Sequence, residues 1–598
     1  MRRPLGVATT RRIVLALLTS FLVVTIGFQA QQAPAQPTAT PAAQTIRAKA
    51  GSDSVAKPEY RWPPRVIYNT DGNWVFNYLP DRKTDNLMVV LDALRDTSVD
   101  AISILVGIDD DISWRGSPHA ELFGDATKIW NPDQDPAKKS AGGLTGNAVE
   151  LLHKNLVTVI EDGHDLLKLY IGRGHQHGLG MYAAFRMNDA HANDERRSWF
   201  QRSSQKKKRP DLLIGAPAPT SASGHADEWN FSWQWDYAQP EVHERFLGLF
   251  GETLTRYDFD GIELDFCRAP LFFKPGQAFK NLDTLTNFMR KARKIVERHQ
   301  AAKGKPIKLL VRVPTSIDHS LSVGIDTDRW LDEGLADVFI LGSAFRCTND
   351  VDFVRAIKRA RKSSVLVYAG FDSAADDVSP QDGMDRNPAS VMQAVALNGY
   401  QHGTAGVWLF NYDYASHRQG PVPAGEKLFA VSNDGRAGRF TAADLQTLRD
   451  LGDPKVLKRL NRCYYLSNSG SAGDHRPQVP RKLALVGRGA GLAHSFRIAI
   501  KEDIAGGLAD GRIKSTQLRL RLTEHEKSMD RIRCQVNGKR VDLASAHTVA
   551  NRSGQKWLVV ENPPTVDGIN TVLVVLEGLK TPEPWPTLHQ CEVIIKCQ

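Results

Sequence analysis

"YDFDGIELDFCR", residues 257–268, alternates like a β-strand, and its two faces differ in chemistry. Ile262, Leu264 and Phe266 form an apolar row, while Glu263 and Asp265 stand together on the opposite face. Two carboxylates two residues apart on one strand have Cα atoms roughly 6.6 Å apart, so their charges interact and their proton affinities separate, one group holding its proton towards neutrality. Burying the pair costs several kcal/mol unless partners compensate. A purely structural salt bridge would draw on Arg186, Arg268 or Arg312.

Seven further runs have strand character: "RVIYN" (65–69), "AISILVG" (101–107), "GLGMYAAF" (178–185), "IKLLVRV" (307–313), "DVFILG" (337–342), "VLVYAG" (365–370) and "AGVWLFN" (405–411). Amphipathic helical stretches such as "PEVHERFLGLFGETLTRY" and "LTNFMRKARKIVERHQ" lie between them. Eight such units predict an α/β fold, a (β/α)₈ TIM barrel spanning 60–465. A doubly wound open sheet is the alternative, but "YNTDGNW" follows the first strand where a glycine-rich phosphate loop would stand. Beyond it, "QLRLRLT", "RIRCQVNGKRVDL", "WLVVE" and "NTVLVVLEGL" alternate between turn residues, which predicts a C-terminal all-β sandwich over 475–598 with a hairpin at its Asn-Gly.

The chain has 598 residues, enough for these two cores. It opens with a basic segment, "MRRPLGVATTRR", and the apolar run "IVLALLTSFLVVTIGF" (13–28), which read as a signal peptide over 1–30. Arg11 and Arg12 also fit twin-arginine export. The Ala/Gln/Pro/Thr-rich stretch that follows reads as a disordered linker, 31–59. An exported protein, periplasmic or extracellular, is expected; an uncleaved leader acting as an anchor is the alternative and the sole membrane contact foreseen.

The net charge of +10 falls when the leader's arginines are removed, and no basic stripe with interleaved aromatics argues for nucleic acid. The densest basic run, Lys206–Pro210, reads as a solvated loop. Six cysteines in so long a chain make no disulfide framework. One disulfide near Cys534, Cys591 and Cys597, or buried free thiols, both fit. "GRGHQHG" and His191 lack a firm ligand spacing, so neither a metal nor a cofactor is expected.

In a barrel, the face opposite Ile262, Leu264 and Phe266 points inward, so Glu263 and Asp265 aim at the end where barrel enzymes keep their chemistry. They are the catalytic candidates. Asp71, Arg186, Asn188, Asp189, His191, Arg312, Asp372, Asn411, Tyr412 and Asp413 follow or end neighbouring strands, the polar gathering that sugar hydroxyls require. Arg268 and Trp408, beside the fourth strand and on the eighth, join them. Trp229, Trp233 and Trp235 would stack on sugar rings or plug the fold.

"FDGIELDF" resembles the fourth-strand Asp-Gly-x-Asp-x-Asp-x-Glu motif of chitinase-like glycoside hydrolases, with Asp260, Glu263 and Asp265 at the acidic positions. It departs at the family's catalytic acid, where Cys267 stands, so that family's substrate-assisted mechanism does not carry over. "IYNTDG", "FRMNDAH", "DFDGIELDFCR", "RWLDEGLADVFI" and "GVWLFNY" together look closer to bacterial exported glycosyl-hydrolase-like barrels of the family-ten type, over roughly 60–460. The resemblance implies a carbohydrate substrate. Two functions stay open: a glycoside hydrolase with Asp265 or Glu263 as nucleophile or stabiliser and its partner acid from the same pair or from Asp189, Asp372 or Asp413, and a non-catalytic carbohydrate-binding protein on a degenerate barrel. Sugar, linkage and oligomeric state are not encoded legibly.

Overall fold

In the computed structural model, eight parallel strands bond side by side until the last returns to the first. They are β1 (Val66–Thr70), β2 (Val99–Leu105), β3 (Gly180–Arg186), β4 (Gly261–Asp265), β5 (Lys308–Val313), β6 (Val338–Gly342), β7 (Leu366–Asp372) and β8 (Gly406–Phe410). The expected TIM barrel and C-terminal sandwich are both present. The structure describes Gln44, Thr45 and residues 60–598, except 73, 76–77, 80, 108–110, 125–145, 190–202, 216–230, 268, 343–346, 373–387, 413–429, 432–436, 439, 467–480, 487–494, 552–553, 579, 581 and 583. The leader and most of the linker, and with them His191, Trp229, Arg268 and Asp413, lie outside the described residues. No described helix is long and apolar enough to cross a membrane.

Alternation along each strand sorts the core into two layers. Ile262, Leu264 and Phe266 face outward, packed beneath Phe246, Leu249 and Phe250 of helix Pro240–Arg256 and Leu285, Phe288 and Met289 of helix Leu282–Lys303. Each such side chain contributes about 1.5–3 kcal/mol on burial. That outer layer offsets what the inner face costs. The interior is filled by Ile67, Ala101, Tyr182, Leu310, Val338, Ile340, Tyr368, Trp408 and Phe410.

The sandwich pairs a sheet built from Arg462–Tyr465, Thr587–Cys597, Ile513–Thr523, Lys556–Glu561 and His547–Ala550 with a second built around Gly568–Glu577. Its hairpin turns at Asn537 and Gly538, both with positive φ (52° and 75°), as an Asn-Gly pair between two-residue-linked strands requires. All six cysteines are free thiols, which settles that alternative. The basic run departs from expectation: Ser204–Lys208 is a short helix, and Lys206 is buried with Nζ 5.6 Å from the Trp235 ring centroid. Its long stem covers apolar surface there.

Barrel and sandwich share a core. Cys463, Tyr465 and Ile594 of the sandwich join the barrel's main cluster, while Ala394 of helix Pro388–His402 joins the sandwich's. The Asn398 amide donates to Ala499 O (3.2 Å) and its carbonyl accepts from Lys501 N (2.9 Å), like one more rung of the sheet. Buried Arg462 makes a forked pair with Glu502 (3.1 and 2.8 Å), which also accepts from the Tyr464 hydroxyl (2.7 Å). A chain ended at residue 470 would expose this seam and strip Arg462–Tyr465 of its partner strand. We expect it to be insoluble or to melt far below the full chain by circular dichroism; a soluble fragment with an unchanged midpoint would contradict the shared core.

Candidate active site

The register of three strands builds the site: Arg186, Asp265 and Arg312 lie abreast on β3, β4 and β5. Arg312 donates from Nη1 to Asp265 Oδ2 at 3.0 Å, and the Cys267 N–H donates to Oδ1 at 2.9 Å. Both charged side chains are buried. The Arg312 guanidinium lies 4.3 Å from the Trp408 ring centroid and 5.3 Å from that of Phe410. A Cβ on Gly342 would stand 3.1 Å from Arg312 Nε, so glycine at the tip of β6 makes the room.

Glu263 sits one inward step deeper, fully enclosed. Asn69 of β1 donates to its Oε1 (3.0 Å) and the Trp408 indole to its Oε2 (2.8 Å). Burial, and then the charge of Asp265, push its carboxyl up to about 7, against the pull of Ser103, Trp408 and Arg312. Of the pair, Glu263 is the member whose carboxyl is raised towards neutrality.

A second charged group borders the first. Arg186 donates to Asp189 (2.7 Å) and to Asp71, and lies 5.9 Å from the Phe410 ring centroid. The Asn411 side chain accepts from Asp71 N (3.0 Å), reached through a left-handed backbone at φ 42° that Asn tolerates. Asp71 also lines a cleft with Gly72, Leu105, Phe123 and Tyr170. Asp372 is buried at the tip of β7, in register with Phe410.

Other expected contacts are turned elsewhere. Asn188 spends its amide on Trp235 O (2.9 Å) and Leu271 O (2.6 Å), and its carbonyl on Trp235 N (3.0 Å), stapling two loops. The Tyr412 hydroxyl reaches Asp444 (3.1 Å) and its ring stacks on Phe440, away from the barrel interior. Trp408 is an interior donor to Glu263, not an exposed platform for a sugar. Trp235 is a buried plug and Trp233 packs against the main core. Asp260, the first acidic position of the motif, lies at the far end of β4, where its Oδ2 meets His175 (2.8 Å) and the Met181 N–H (2.9 Å) and its Oδ1 meets Lys305 (3.2 Å). Burial acts to raise its carboxyl, but these partners hold it below the ordinary range. His177 pairs with Asp92 (2.7 Å), so neither histidine of "GRGHQHG" joins the site.

The sequence reading missed Asn69 and Ser103. Each follows an inward-facing residue by two, Ile67 and Ala101, so each carries the same signal as Glu263: a polar side chain at an inward position near a strand's end.

No protein-family model matches the chain, nor does any curated protein sequence. The resemblance to the family-ten type expected from the motifs thus has no family match behind it. Solved structures resemble it at low identity. One is a cycloisomaltooligosaccharide glucanotransferase from Paenibacillus (10% identical, covering 89% of this chain and 59% of that one, TM-score 0.32). A family GH18 chitinase from Chromobacterium violaceum (11%, 86% and 88%, 0.32) and an alpha-amylase from Malbranchea cinnamomea (13%, 86% and 96%, 0.32) are others. At that distance nothing about activity transfers.

Two outcomes are expected. The raised Glu263 carboxyl means the native protein binds this proton more tightly than the unfolded chain does, so its contribution is fully present below about pH 4.5 and is lost as pH rises to about 7. At 1.36 kcal/mol per pH unit the loss is roughly 3 kcal/mol. Between pH 5 and pH 8 the thermal midpoint of the parent should therefore fall relative to Glu263→Gln; parallel curves would count against it. Arg312→Met leaves Asp265 buried and unpaired, which should cost about 3–5 kcal/mol in denaturant unfolding, with part recovered in the Arg312→Met, Asp265→Asn double variant.

Proposed function

We propose that the protein is an exported glycoside hydrolase that cleaves glycosidic bonds of a poly- or oligosaccharide through Asp265. The observation that carries this reading is the buried Asp265–Glu263 couple at the C-terminal end of β4, with Asp265 paired to Arg312 and Glu263 raised to about 7. A buried ion pair contributes little net stability compared with apolar packing of the same volume, so the fold itself gives no reason for it. Carboxylates at the C-terminal end of barrel strands are what oxocarbenium chemistry uses, and the resemblance of "FDGIELDF" to a hydrolase motif points the same way.

Arg312 and the Cys267 N–H hold the Asp265 carboxylate by one oxygen each, in a position to attack or stabilise a positive anomeric centre. Glu263 is enclosed and acts through Asp265, fixing how much negative charge lies beneath it. Leaving-group departure needs a proton from a second carboxyl. We assign that role to Asp372, a carboxyl at the C-terminal tip of β7. Export rests on the leader sequence alone.

Asp265→Asn keeps the shape and removes the charge, so kcat should fall by several orders of magnitude with KM little changed, read as reducing ends released from a polysaccharide panel. Asp372→Asn should slow substrates with poor leaving groups far more than aryl glycosides with good ones. Near-normal turnover by Asp265→Asn would remove the chemistry from β4. Cys267, at the position of the chitinase-like acid, favours one second reading, a carbohydrate-binding protein on a degenerate barrel. Glycan binding by calorimetry without any cleavage would select it.

A further inference from the structure

Glu263 has a different kind of company from Asp265, although they are neighbours on one strand. The buried cation in reach, Arg312, is bonded to Asp265, whereas Glu263 is met by two neutral donors from strands on the other side of the barrel. Asn69 lies 194 residues away in sequence and Trp408 145, so only closure of the barrel between β8 and β1 brings them together. They take one carboxylate oxygen each. A carboxyl bonded at both oxygens by donors fixed in separate strands cannot rotate about its last torsion without breaking one bond.

We infer that Asn69 is a positioning residue of this site: with Trp408 it clamps Glu263 in one orientation beneath Asp265, using neutral donors so that Arg312 stays with Asp265. The inference deepens the hydrolase reading and rests on it for its functional meaning, since a clamp here matters because of what Asp265 does.

Among the described residues, Glu263 is faced by Asp265 on its own strand, Arg312 on β5, Ser103 on β2, Asn69 on β1 and Trp408 on β8. β3, β6 and β7 present Tyr182, Ile340 and Tyr368 to the interior, and the Tyr368 hydroxyl is bonded to Pro64 O (2.7 Å). Asn69 and Trp408 each donate an N–H, which favours the carboxylate over the acid. Removing either therefore raises the proton affinity of Glu263, while Asp265 and Arg312 keep their mutual bond.

The test is a titration of the full-length protein labelled with ¹³C at the glutamate carboxyl, the Glu263 signal being assigned by its loss in Glu263→Gln. The parent should titrate near neutrality, and Asn69→Ala should move the midpoint up by about one pH unit. Trp408→Phe, which keeps most of the ring and loses the N–H, should move it the same way and stands in if Asn69→Ala does not fold. A residue that merely packs would lower the melting temperature and leave the midpoint in place, and an unmoved midpoint in either folded variant overturns the clamp. The measurement needs no substrate, so its failure is distinct from failure of the hydrolase reading. On a substrate the parent cleaves, the same variants should shift the pH profile of kcat upward by a similar amount with little change in KM.

Discussion

The Asp265–Arg312 pair is the contact around which the upper half of the barrel is arranged. An eight-stranded barrel has an interior just wide enough for side chains to fill, so a charge placed there must be compensated by other interior residues. Arg312 occupies the middle of that space because Gly342 leaves room beside it and because Trp408 and Phe410 offer it their ring faces. The same rings reach outward in influence: Phe410 also lies beside Arg186, which gathers Asp71 and Asp189. Cations and carboxylates thus alternate across the mouth, Asp71 and Asp189 about Arg186, then Asp265 and Arg312. Glu263 beneath them is where compensation is incomplete, and its raised proton affinity is the result.

The two ends of β4 show the same residue types put to different ends. At its start, Asp260 is met by His175, Lys305 and a backbone N–H, and its carboxyl is held below the ordinary range. Every partner there favours the anion, and the arrangement locks the barrel floor. At its finish, partners and penalties are close to balance. A carboxyl poised between its two protonation states is of use to chemistry in a way that a locked one is not.

Much of this was legible in the chain itself. The alternation of "GIELDF" places Ile262, Leu264 and Phe266 outside and Glu263 and Asp265 inside without reference to any other segment, and eight repeats of strand and helix imply closure. The Asn-Gly turn at 537–538 is as local a signal. Illegible were the contacts made by closure, because nothing in "VIYNT" or "GVWLF" says that Asn69 and Trp408 will meet over Glu263. Parity along a strand assigns a face, but not which residue across the barrel fills the space. Tryptophan and tyrosine misled for the same reason: Trp408 and Tyr412 carry a polar atom that serves a buried bond as readily as a ligand. The charge of Lys206 reads as a solvated loop, whereas the side chain is buried with its ammonium over the Trp235 ring.

The sheet that takes in Arg462–Tyr465 has a bearing on how such a chain comes to be folded at all. That strand follows directly on the barrel's last helices, yet its neighbour is Thr587–Cys597, with Cys463 and Glu592 separated by 129 residues. A ribosome delivers the first long before the second. Through that interval the flank of the barrel at helix Pro388–His402 has its half of the seam and nothing to close it. Non-local pairing of this kind slows folding and leaves greasy surface waiting for its mate. That flank therefore stays open until synthesis is nearly done, a window in which holding chaperones have something to grip.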